Sequence, residues 1–131
     1  MESNEEAYER IATVLVDSAE QNWSCLRLEG FILNKNLSAV TSIQTDEKGV
    51  DSNIPLGLKI FEIQEAALLL RKNLVEATGQ RIWGLTFTLY PDGKFNLEYD
   101  YNKPEGYEES DEVITGDEIN ASLKATFGNS N

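Results

Sequence analysis

WGLTFTLYPDGKFNLEYDY, residues 83–101, contains a hairpin that can be read residue by residue. In Tyr90-Pro91-Asp92-Gly93-Lys94, proline presets φ at the first turn position and Asp92 can bond its own backbone. Gly93 supplies the left-handed residue that closes a three-residue loop as a type I turn with a bulge. Such a loop pairs Tyr90 with Lys94, and the register behind it follows. Leu89 then faces Phe95, Phe87 faces Leu97, Leu85 faces Tyr99 and Trp83 faces Tyr101 on one side of the ribbon. On the other side Thr88 meets Asn96, Thr86 meets Glu98 and Gly84 meets Asp100. Turn chemistry and two-residue alternation give the same register independently, as expected of a real hairpin. The apolar side is expected to be core, with Trp83, Phe87, Phe95 and Leu97 in it, and the polar side wet or covered by a partner.

Outward from this hairpin, Ser3 with Glu6 three residues on is a capping box. Ala7, Ile11, Val14 and Leu15 follow at helical spacing, which predicts a helix over about 4–20. Residues 23–33 read as a strand with Leu26, Leu28, Gly30 and Ile32 on one face and Arg27 and Glu29 on the other. A tight turn at 34–36 leads to a second strand over 37–44, and TDEKGVDSN at 45–53 reads as a loop. Pro55 suits the first turn of a long helix whose C-cap is Gly79, with Ile60, Ile63, Ala67, Leu70 and Leu74 along its buried face. Residues 102–114 read as a loop, and Thr115 with Glu118 caps a short helix ending near Gly128. The expectation is one α+β domain over 1–131 in the order α-β-β-α-β-β-α. Its sheet is four antiparallel strands, arranged as two hairpins, with helices on one face.

Composition limits the chemistry. With no histidine, a Ser-His-Asp or Cys-His arrangement and histidine metal ligands are excluded. Cys25 is the single cysteine, so no internal disulfide can form, and it reads as a small buried hydrophobe in a reducing cytoplasm. The acidic, polar start of the chain is unlike a signal peptide, and no stretch approaches the roughly 18 apolar residues of a membrane span. Glycine-rich phosphate loops and basic stripes are missing, which argues against nucleotide cofactors and nucleic-acid binding. Acid-rich loops at 46–53 and 100–112 do not match a calcium-binding loop. Glu98 and Asp100, two apart on one strand face, are the pair a carboxylate-based hydrolase could use, but the reading is of a protein that is not an enzyme and holds no cofactor.

The charge remains to be explained: 23 acids against 11 bases, formally −12. Such a chain repels nucleic acid and anionic membranes and attracts basic partners. The plainer reading is acidity that maintains solubility. Acids concentrate from the hairpin's second strand onward, at Glu98, Asp100 and Glu105 and then at Glu108, Glu109, Asp111 and Glu112. Tyr107 lies among them, and two readings stand: an exposed aromatic anchor for a partner, or a tyrosine that packs back on the sheet.

The 83–101 stretch resembles the signature of the YezG-like bacterial antitoxin and immunity family. In that family a tryptophan opens a strand, a G-K-F turn follows, and an acid-and-aromatic strand of the E-Y-D-Y type closes the motif. The order of the preceding elements and the chain length also agree, whereas no match extends past residue 102. The resemblance implies a cytoplasmic, non-catalytic protein that binds and blocks a cognate toxin domain, often a nuclease. On that reading Glu98 and Asp100 pair with toxin Lys or Arg. Glu105, Glu108, Glu109, Asp111 and Glu112 steer the encounter, and Tyr107 is a partly buried anchor. A non-toxin basic partner for an acidic interaction module is the alternative.

Overall fold

In the computed structural model, residues 2–107 are described. Helix α1 (Asn4–Ser18) is followed by strands β1 (Trp23–Leu33), β2 (Asn36–Asp46) and β3 (Asp51–Asn53). A 3-10 turn (Gly57–Lys59) then leads into helix α2 (Ile60–Thr78), and β4 (Gly84–Leu89) and β5 (Phe95–Asp100) complete the order. The fold is α+β, but its antiparallel sheet has five strands in the order β3-β2-β1-β4-β5, not four. The helix expected before Gly128 lies outside the described residues. None of the described helices is long and apolar enough to cross a membrane.

The anticipated capping box starts α1. Glu6 N donates to Ser3 Oγ at 3.2 Å, and Ser3 N and Glu2 N donate to Glu6 Oε1 at 3.1 Å. Those two backbone donors, above all the Glu2 N–H, hold the Glu6 carboxyl below its ordinary value. A lowered folded pKa adds stability that is present above the unfolded value, roughly 4.3, and is lost as pH falls through the folded one. The thermal midpoint of Glu6→Gln should therefore lie below wild type near neutrality and converge with it in acid. Ser3→Ala, read by denaturant melts, should cost about 1 kcal/mol at neutral pH.

Two sequence expectations fail between β2 and α2. The 45–53 segment is not a loop: Thr45 and Asp46 finish β2, 47–50 turn, and Asp51–Asn53 form an edge strand. Asp46 N donates to Val50 O at 2.9 Å, and Asp46 Oδ1 accepts from Lys48 N and Val50 N. Asp51, Ser52 and Asn53 then pair with Thr45, Gln44 and Ile43. All three β3 residues are exposed, so no apolar alternation marks them. Thr45 Oγ1 donates to Asp51 Oδ1 at 2.6 Å, and the buried Ile54 anchors the end through N–H to Ser42 O at 2.9 Å. The second helix also starts later than Pro55 suggested. Gly57 has φ 58°, outside the right-handed α region, so an α-helix cannot run through it from Pro55, and α2 proper begins at Ile60. Its end is as expected: Gly79 adopts φ 77° and donates to Val75 O at 2.8 Å.

The core forms between the two helices and one face of the sheet. Ile11 and Leu15 of α1, Ile63 and Leu70 of α2, and Leu26, Leu28, Ile32 and Phe87 of the sheet are all fully buried. Polar ties fix the layers: Gln64 Oε1 accepts from Leu37 N (2.9 Å), and the buried Gln44 Oε1 accepts from Glu20 N (2.9 Å). Helices α1 and α2 are joined by Asn73 Nδ2, which donates to Asn4 Oδ1 at 2.9 Å. Both helices therefore lie against the same sheet face, and the opposite face has no helix from residues 2–107 over it.

Candidate functional site

Every pair expected in the β4–β5 hairpin from Gly84–Asp100 to Leu89–Phe95 is present. Tyr90 N donates to Lys94 O and Gly93 N to Tyr90 O, both at 2.9 Å, and Gly93 has φ 87°, so the loop is the anticipated one. Its apolar side divides more finely than alternation indicated. Phe87 is fully buried, whereas Phe95 is 45% exposed and stacks on it at 5.2 Å. Tyr99 is half-buried, and burial, with a smaller contribution from Tyr8, pushes its phenol above the ordinary value. Tyr101 is 48% exposed. Trp83 is half-buried and lies outside the main core, with the Arg81 guanidinium 3.6 Å over its ring. Phe95, Tyr99, Tyr101 and Trp83 correct the expected core: among the described residues no further strand or helix covers them at the hairpin's end and edge.

The polar side of the hairpin continues across the sheet. Register aligns Thr41, Glu29, Thr86 and Glu98 in one row and Phe31, Gly84 and Asp100 in the next. Together these residues line an open hollow of about 320 Å³. Its floor is low because Gly84 has no side chain. A Cβ there would stand 3.1 Å from Gly30 O and 3.5 Å from both Phe31 Cδ1 and Asp100 Cβ. Next to it the β1–β2 register slips between Glu29 and Phe31, and Ala39 takes φ 52°. A left-handed alanine is strained by about 1–2 kcal/mol, partly offset in a glycine variant by greater unfolded-state freedom. Ala39→Gly should therefore raise stability by about 0.5–1 kcal/mol, measured by denaturant unfolding.

Glu98 and Asp100, the two strand acids singled out from sequence, are thus brought together on the sheet face that no described helix covers. Glu29 joins them, and its carboxylate is 3.6 Å from Arg27, the basic residue of the same face. Sequence reasoning missed Glu29 and Phe31, although both fall on the alternate positions of β1 that its apolar face leaves over. Glu105 is exposed, away from the hollow's lining. Tyr107 packs back: its ring meets Trp83 edge-on at 6.2 Å, and its N–H donates to Pro104 O at 3.2 Å. Glu108, Glu109, Asp111 and Glu112 lie outside the described residues. Cys25 is half-buried, not fully buried as expected, and desolvation pushes its thiol up against the opposing effect of Arg27.

Glu98 and Asp100 stand side by side on one strand, whereas glycoside hydrolysis requires two carboxyl groups on either side of the bond. Among the described residues no group of three or more His, Cys, Asp or Glu side chains is placed to hold a metal ion. What the face offers is an acidic, partly aromatic concavity on a rigid sheet, suited to cationic side chains. Neither a scan of protein-family models nor a search of curated proteins gives a match to this chain. The likeness to the YezG-like family therefore rests on residues 83–101 themselves.

Proposed function

We propose that this chain is a non-catalytic, cytoplasmic immunity protein of the YezG-like kind. It neutralises a cognate basic toxin domain, a nuclease on the family's pattern, by docking it on the open face of the sheet. The observation that carries this reading is the face itself: Glu29, Glu98 and Asp100 surround one hollow, and both helices lie on the other side. A sheet face with no described helix over it, and three carboxylates around its hollow, serves a cationic partner better than it serves folding. Nuclease domains hold phosphates with Lys and Arg, so an acidic surface can compete for that cleft or cover its approach.

Speed also favours charge. Complementary potentials raise association to roughly 10⁸–10⁹ M⁻¹s⁻¹ at low salt, an advantage for an inhibitor that must intercept a toxin before it cuts. Glu105 and the acids Glu108, Glu109, Asp111 and Glu112 would add to that field. Tyr107, braced on Trp83, would serve at the rim of the interface and not at its centre.

The test is binding to the C-terminal domain of the large secreted protein encoded beside this chain, at low and high salt, together with an assay of that domain's toxicity. Tight, salt-sensitive binding with loss of toxicity is expected. Tight binding indifferent to salt would remove the acidic face from the interface, and no binding would overturn the immunity reading.

A further inference from the structure

The geometry points to a mode of docking as well as a surface: β5 accepts an extended, basic segment of the partner as a sixth strand. This inference rests on the inhibitor reading and specifies which backbone atoms the partner meets.

β5 is the last strand of the sheet, paired on one side only among the described residues. Which of its backbone groups are open follows from the hydrogen bonds of its neighbours. Tyr90 N donates to Lys94 O at 2.9 Å, which makes the even-numbered pairs of the ribbon the hydrogen-bonded ones. Trp83, just before β4, splits its groups between Ile32 and Asp100, and from Leu85 on the odd-numbered residues of β4 turn toward β1. The even-numbered ones, Thr86 and Thr88, face β5 and bond Glu98 and Asn96. Phe95, Leu97 and Tyr99 therefore point their N–H and C=O groups outward. Residues 101–107 turn away from the edge: Asn102 N donates to Asp100 Oδ1 at 2.9 Å, and Tyr107 reaches back to Trp83.

Edge strands are usually blunted by lysine, proline or a bulge. FNLEYD has no proline or lysine, and its register with β4 is regular from Phe95 to Asp100. Its charges are Glu98 and Asp100. In an added strand the side chains directly opposite stand about 4.5–5.5 Å away, so a second copy of β5 would set acid near acid. A strand with Lys or Arg at alternate positions would set a cation against each.

The intervening side chains of that strand would turn to the helix side. There an apolar hollow of about 420 Å³ opens between α1 and the hairpin, lined by Tyr8, Ala12, Leu89 and Phe95, with Glu5 and Glu9 also on its wall. Tyr8 and Phe95 rings are 5.3 Å apart and Phe95 is half exposed, so an apolar side chain opposite Phe95 would cover both. Strand addition supplies affinity through main-chain bonds and specificity through alternate side chains. Here one alternate set meets carboxylates and the other meets an apolar hollow, so the occupant is a basic strand with apolar residues at every second position.

Backbone amide hydrogen exchange of the full chain, free and bound to the same neighbouring toxin domain, tests this. On binding, the Leu97 and Tyr99 amides should slow at least about tenfold, far more than Glu98, which is already bonded to β4. Binding with unchanged Leu97 and Tyr99 exchange would overturn strand addition while leaving the inhibitor reading intact. Failure to bind at all would remove both. Slow exchange of these amides in the free chain would also overturn it, the edge being taken by residues 108–131 if protection is independent of concentration and by a second copy if it is not.

Discussion

Phe87→Ala should destabilise the protein by about 3–5 kcal/mol, the range for truncating a fully buried phenylalanine. Phe87 occupies the middle of β4, opposite Leu28 of β1 on one side and Leu97 of β5 on the other. Its ring also carries Phe95 in a stacked contact at 5.2 Å. Removing it leaves a cavity where two strands and the helix layer meet, and close-packed neighbours relax only partly. A loss of that size is a large fraction of the roughly 5–15 kcal/mol that holds a domain folded. Phe95→Ala should cost much less, roughly 1–2 kcal/mol, because its ring is already half in water. Equilibrium urea unfolding of the two variants separates the cases. Equal losses would mean that Phe95 is more deeply packed than the structure has it.

On the proposed inhibitor reading, Glu98→Lys should slow association with the proposed toxin domain by at least an order of magnitude at low salt, with the difference shrinking as salt is added. If Glu98 forms a close pair with a toxin cation, the coupling lost is roughly 1.5–7 kcal/mol, and most of that appears as faster dissociation. The fold should not suffer, since Glu98 is exposed and its neighbours in the row are Thr86 and Glu29. Glu76→Lys is the matched control. It makes the same charge change at an exposed position near the end of α2, on the helix side of the sheet, and should leave association close to wild type. Stopped-flow binding of both variants at two salt concentrations distinguishes a local interface from a general effect of net charge. Equal slowing by the two would argue for diffuse attraction and against docking on this face.

The sequence carried the parts of this structure that depend on near neighbours. The Ser3–Glu6 capping box, the Gly79 cap and the Pro91-Asp92-Gly93 loop each need only a few consecutive residues, and each formed as its chemistry requires. Once the loop set Tyr90 against Lys94, two-residue alternation placed Glu98 and Asp100 on one face, with no tertiary information needed. The acidic side of the candidate site was legible for that reason.

Contacts between distant segments decided the rest. Asp51–Asn53 form a strand because β2 offers an edge, and a strand exposed on both faces has no hydrophobic signature to read. Alternation assigned Phe95, Tyr99 and Tyr101 to one side of the ribbon, but the depth of each depends on where α1 lies and on β5 being the last of the described strands. Glu29 and Phe31 joined the site only when β1 paired with β4, which set them beside Thr86 and Gly84. Local sequence fixes a turn and a register because both are short-range steric and hydrogen-bonding problems. Which face stays open, and which strand ends the sheet, is settled by the burial of apolar surface between segments far apart in the chain.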